Sequence, residues 1–161
     1  MNRTETPTVV EREPMTVAGL QTHYAGDQSV LGRVWESLSE RWDEFERIGA
    51  DDETFGVMTN VQPDQRVFDY VAGVATERPG SVPNSFVVVE VPGGTYARFE
   101  TALASMEADY ARVTEEWLPD SPYERRPGPE FERYGDAYDP GNPDSPYDYF
   151  VPVTPVGSPR D

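Results

Sequence analysis

The apolar positions of this chain switch between two periods. From Thr8 to about Tyr24 they alternate as in a strand, VVERE followed by TVAGLQTHY, with a break near Pro14 and with Gly19 suited to a bulge or a close backbone approach. The period then lengthens. Val30, Leu31, Val34, Trp35, Leu38, Trp42 and Phe45 recur at three- and four-residue spacing, which predicts one long helix that Asp27 or Ser29 can cap and that Gly49 closes. Two strands follow, Thr54 to Thr59 and Val67 to Thr76, joined by the turn-forming VQPDQ.

After the loop ATERPGSVPN the same order returns. Ser85 to Val91 is a strand of buried type, Pro92 and two glycines interrupt it, and TYARFET continues it. A second helix is expected from about Ala102 to Leu118, with Leu103, Met106, Tyr110, Val113 and Trp117 as its stripe and Pro119 as its end. The run EFERYG, Glu130 to Gly135, alternates charge and ring in the manner of a strand, and YDYFVPVT closes the pattern. Residues 1–6 and 155–161 are expected to be flexible ends.

The recurrence is legible residue by residue. FDYVAGV, Phe68 to Val74, lies over YDYFVPV, Tyr147 to Val153, without a gap, and EREPMTVAGLQTH resembles VEVPGGTYARFET in placing a proline in mid-strand. The unit is strand, helix, strand, strand, with one copy over about 8–76 and the other over about 85–154. One domain is expected over residues 1–161. Two such units predict an α+β architecture: a largely antiparallel sheet, two long helices on one face, and a ligand groove on the other.

Composition narrows the function classes. The formal net charge is −17, and all thirteen basic residues are Arg. An acidic surface without Lys resembles that of proteins working in concentrated salt, where screening tolerates self-repulsion. The charge also argues against nucleic acid and against an anionic membrane surface, and no apolar leader or long apolar run is present, so a cytoplasmic protein is expected. With no Cys and with His23 as the single histidine, thiolate catalysis is excluded and neither a metal site nor a cofactor is expected.

The ordered series VAGL after Pro14, LGRVWESL, TFGV, FDYVAGV, VPGGTYARFE, EEWLPDSPYE, FERY and YFVPV, from Thr8 to Thr154, resembles the GyrI-like small-molecule effector-binding domains, which also occur in AraC-type and MerR-type multidrug regulators. That resemblance implies a duplicated strand–helix–strand–strand fold of the SHS2 type. It also implies a Glu in the strand after the second helix that meets cationic aromatic compounds. No helix-turn-helix like that of the regulators is read before Thr8 and the net charge argues against one, so a stand-alone domain is expected.

Matched position by position, the resemblance places that Glu at Glu132, with Tyr134 on the same pleat face and Tyr70 and Trp117 as wall residues. Tyr96 is a further candidate for the groove. Each has a plainer reading: Glu132 as one of thirty acidic residues at a solvated edge, Tyr70 and Tyr149 as core, Trp35 and Trp42 as helix core, His23 as a satisfied strand residue, and Asp51, Asp52 and Glu53 as a solvated turn. Three functions stay open. The first is capture of a small cationic, aromatic compound. The second is hydrolysis of an electrophilic compound, with Glu132 as general base and Tyr70 or Tyr134 as donor. The third is inhibition or regulation of a protein partner, as gyrase inhibitors do. Aligning the repeats sets Phe131 over Phe55 and Glu132 over Gly56, so one copy carries a carboxylate where the other has no side chain.

Overall fold

The computed structural model describes residues 6–27, 29–48, 53–62, 67–77, 80, 82–83, 85–135, 138, 142 and 144–156. Gly49, Asp51, Asp52, residues 63–66, which include most of the turn expected at VQPDQ, and the outer parts of both ends lie outside the described residues.

Pro14 divides the first extended stretch into β1 (Thr8–Arg12) and β2 (Met15–Tyr24), as its missing N–H predicts. Asp27 accepts the backbone N–H of Ser29 at 3.0 Å and so caps α1 (Ser29–Glu40). The long helix expected here is two. The Arg41 N–H bonds back three residues to Leu38, which ends α1, and α2 (Trp42–Ile48) restarts beyond it. Then come β3 (Thr54–Gln62) and β4 (Val67–Ala75).

The second half repeats the order with differences. β5 (Val87–Val91) and β6 (Gly94–Thr101) are separate strands, because Pro92 and Gly93 send them to different neighbours. The second helix starts later than its stripe predicts. Ala102 to Ser105 form a turn that leaves Leu103 55% exposed, and helix begins at α3 (Met106–Ala111). It continues through a π-helical segment, Arg112–Trp117, into the short α4 (Leu118–Asp120), whose first turn contains Pro119 without penalty from its absent N–H. A three-residue strand that the sequence pattern did not reveal, β7 (Tyr123–Arg125), precedes β8 (Glu130–Tyr134) and β9 (Tyr147–Pro155).

All strand pairs are antiparallel, in the order β1-β6-β9-β8-β3-β4-β2-β5, with β7 added to the end of β9. Reading outward from the β8–β3 seam gives β8, β9, β6, β1 on one side and β3, β4, β2, β5 on the other. β1 and β5 each cross to the half they do not lead into. Gly19 of β2 and Gly73 of β4 are partners, and a Cβ on either would fall 2.1 or 2.0 Å from a carbonyl oxygen of the facing strand. The close approach expected at Gly19 is therefore reciprocal.

One sheet face carries the helices. Val34 and Leu38 of α1, Phe45 of α2, and Val113 and Leu118 of the second helical stretch pack against Met58, Tyr70, Phe99 and Tyr149. The expected open groove on the other face is not there. Val17, Phe55, Val57, Val71, Val91, Tyr96, Phe131 and Phe150 form a second buried core on that side, drawn from strands near both ends of the sheet order. Strands so far apart can share one core only if the twisted sheet curls over that face. Each such buried side chain contributes roughly 1.5–3 kcal/mol, so an open groove here would be costly. Among the described residues no helix is long and apolar enough to cross a membrane.

Candidate functional site

β8 alternates in both directions at once. Phe131 and Arg133 face the curled side, and Glu130, Glu132 and Tyr134 face the helices. All three of the latter are buried, with Glu130 3% and Glu132 8% exposed. Two carboxylates two residues apart thus enter one apolar layer.

Glu132 Oε1 accepts hydrogen bonds from the Tyr70 and Tyr134 hydroxyls, each at 2.7 Å. The Tyr70 oxygen in turn accepts the Trp35 indole N–H at 3.0 Å. Trp35, half-buried on α1, meets Tyr134 edge-on at 5.3 Å, and Tyr134 packs against Tyr138 and Tyr147, each at 4.7 Å. Gly56 makes this arrangement possible. It pairs with Glu132 across the β3–β8 seam, and a Cβ there would sit 2.1 Å from the Tyr70 hydroxyl and 2.6 Å from Glu132 Oε1.

Burial pushes the Glu132 carboxyl above its ordinary range, and the two tyrosine hydroxyls oppose that rise. Burial first, and the neighbouring Glu132 second, push Tyr70 and Tyr134 well up, so both remain neutral donors. Among the described residues no cationic side chain reaches Glu132, and its Oε2 accepts no hydrogen bond.

The other buried acids differ. Glu130 forms an ion pair with Arg125, and its Oε1 also accepts the Tyr149 hydroxyl at 2.7 Å and the Tyr110 hydroxyl at 3.0 Å. Asp109 is paired with Arg112 at 2.8 Å and accepts Thr101 and Ser105 hydroxyls. Among the described residues Glu132 is the buried carboxylate that lacks a cationic partner.

The structure brings Glu132, Tyr70 and Tyr134 together and leaves two candidates elsewhere. Trp117 lines an open depression of about 460 Å³ with Thr6, Pro7, Arg112 and Glu116. Tyr96 lies on the curled face, where its hydroxyl donates to the Pro92 carbonyl at 2.6 Å and its ring packs on Phe131, so it is core and not a groove residue. Tyr149 packs in the core as expected but also donates to Glu130. Trp35 was read only as helix core, and Glu130, Tyr110 and Arg125 drew no functional reading. The i, i+2 spacing in EFERY is the sequence signal for Glu130; nothing in the sequence distinguishes Trp35 from its stripe. His23 pairs with Asp69 at 2.8 Å in an exposed position. No group of three or more His, Cys, Asp or Glu that could hold a metal occurs among the described residues.

Comparison with known proteins bears on the family and the fold. The profile of the integron-associated effector binding protein family matches residues 8–153. The transcriptional regulator BrlR of Pseudomonas aeruginosa is 26% identical over 148 residues, which is 90% of this chain and 54% of the regulator. The chain thus spans about half the length of that relative. Among solved structures, SAV2435 bound to tetraphenylphosphonium superposes with a TM-score of 0.73 at 14% identity, covering 93% of this chain and 94% of the other. An integron cassette protein from the mobile metagenome of Vibrio cholerae gives a TM-score of 0.66 at 16% identity, covering 93% and 97%. At such identities the structural likeness is one of fold.

Proposed function

The chain belongs to the integron-associated effector binding protein family, in keeping with the GyrI-like resemblance of its motifs, and from that premise we propose that it captures a cationic, aromatic small molecule with Glu132 as the counter-charge. The observation that carries this reading is the unmatched burial of Glu132. A carboxylate taken out of water costs several kcal/mol unless a cation or a proton offsets it, and here no internal cation does so. An arriving cation supplies the missing charge. Tyr70, Tyr134 and Trp35 supply hydroxyl dipoles and ring faces, with cation–π attraction of about 0.5–2 kcal/mol per ring.

Entry requires side chains of the cluster to move aside, because Glu132, Tyr70 and Tyr134 are all buried as they stand. The scaffold reads as a duplicated strand–helix–strand–strand unit. The matching strand order on the two sides of the seam supports this. In that light the axis between the copies passes near the Gly56–Glu132 pair, where only one of two equivalent positions can hold a side chain.

Calorimetric titration with tetraphenylphosphonium, the ligand of SAV2435, tests the reading. Wild type should bind it, and Glu132→Gln, which keeps the shape and both hydroxyl contacts, should lose about tenfold or more in affinity. Equal affinity of the two proteins would overturn the role of Glu132.

A further inference from the structure

The two carboxylates of β8 sit in boxes of the same design, and one box already holds a cation. At Glu130 the hydroxyls of Tyr149 and Tyr110 reach Oε1 at 2.7 and 3.0 Å, Tyr110 also lies 3.2 Å from Oε2, and Oε2 takes the Arg125 guanidinium. The guanidinium does not act as a bare point charge. Its second nitrogen donates to the Tyr110 oxygen at 3.0 Å, and its carbon lies 6.0 Å from the Tyr110 ring centroid. At Glu132 the hydroxyls of Tyr70 and Tyr134 donate to Oε1, both at 2.7 Å, and Oε2 accepts nothing among the described residues. In both boxes two tyrosine hydroxyls reach Oε1; in the first a cation also meets Oε2, beside the second reach of Tyr110, and in the second Oε2 meets no donor among the described residues.

We infer that the Arg125 box is an internal template for the ligand site, and that the Glu132 box is built for a cation bearing N–H donors: an aryl amidinium, an aryl guanidinium or a protonated arylalkylamine. This rests on the reading of Glu132 as a counter-charge and adds the ligand class. The physical reason lies in the hydroxyls. Tyr70 and Tyr134 are already spent as donors on Oε1, so the lone pairs of Oε2 are the acceptors left, and an N–H donor directed at them forms a charge-assisted hydrogen bond that a quaternary onium ion cannot make. A permanently alkylated or arylated cation would bring charge and rings but leave Oε2 without a donor.

The test is a titration of wild type and Glu132→Gln with two probes of like size and charge, benzamidinium and phenyltrimethylammonium, read by calorimetry and by quenching of tryptophan fluorescence. The expected result is a preference of about tenfold or more for benzamidinium in wild type that shrinks to near parity in Glu132→Gln. Equal or tighter binding of phenyltrimethylammonium, with both probes weakened by Glu132→Gln, would overturn the N–H requirement while leaving the counter-charge reading in place. Failure of both probes to bind a wild type that binds tetraphenylphosphonium would overturn this inference alone, whereas equal binding of each probe to both proteins would overturn the counter-charge reading and this inference with it.

Discussion

Gly56 of β3 lies directly across the sheet from Glu132 of β8, and the missing side chain at the first is the condition for burying the second. A methyl group at Gly56 would stand 2.1 Å from the Tyr70 hydroxyl oxygen. Tyr70 is 3% exposed and held from behind by Trp35, so it has little room to yield. Gly56→Ala should therefore cost about 2–3 kcal/mol of stability and weaken tetraphenylphosphonium binding, because relieving the overlap separates Tyr70 from Glu132. Urea unfolding and calorimetry check both.

Glu132→Gln should behave in the opposite way in the free protein. A carboxyl whose folded pKa is raised holds its proton longer in the folded than in the unfolded state. Its contribution is then intact below the ordinary value of 4.5 and is lost as pH rises through the folded pKa. Glutamine accepts the same two hydroxyls and carries no charge. The variant should match wild type near pH 4 and exceed it at pH 7 by on the order of 1 kcal/mol, measured by unfolding at a series of pH values. Cation affinity of wild type should rise over the same pH window, since a bound cation favours the ionised carboxylate.

Removing Arg125 should destabilise the protein. Arg125→Ala leaves Glu130 buried without its partner, and the side chain of Arg125 is 35% exposed, so water offsets part of the loss. We expect a cost of about 1–2 kcal/mol that is largely recovered in the double variant with Glu130→Gln. A double-mutant cycle in urea measures the coupling.

Salt should stabilise the whole molecule. With a net charge of −17, self-repulsion at low ionic strength is weakened as the screening length shrinks. The melting temperature should climb steadily from millimolar to molar KCl, and a flat response would argue that the acidic surface serves something other than salt tolerance.

Much of the fold was legible in the chain. The period change at Val30, the break at Pro14 and the overlay of FDYVAGV on YDYFVPV led to β1, β2, α1, the paired strands and the doubled order, because periodicity and proline chemistry act locally. The turn at Arg41, the late start of α3 and the brief β7 were not legible, since each depends on where a distant partner falls. Arg41, for instance, also donates to Ser85, forty-four residues away, at 2.8 Å.

The site divides in the same way. Sequence alone determined that Glu132 and Tyr134 share a pleat face and that Glu132 answers to Gly56 in the other copy, since both follow from the two-residue period of a strand and the register of a repeat. Tertiary structure alone decided which face that is, and it chose the helix side. YVAGV is apolar on both faces, so its pattern carries no sign of which side curls. Structure alone also decided which of two neighbouring glutamates has no cationic partner among the described residues. Glu130 lies within reach of Arg125 once β7 pairs with β9, and Glu132 does not; charge pairing across a fold is a matter of distance, which a sequence does not contain.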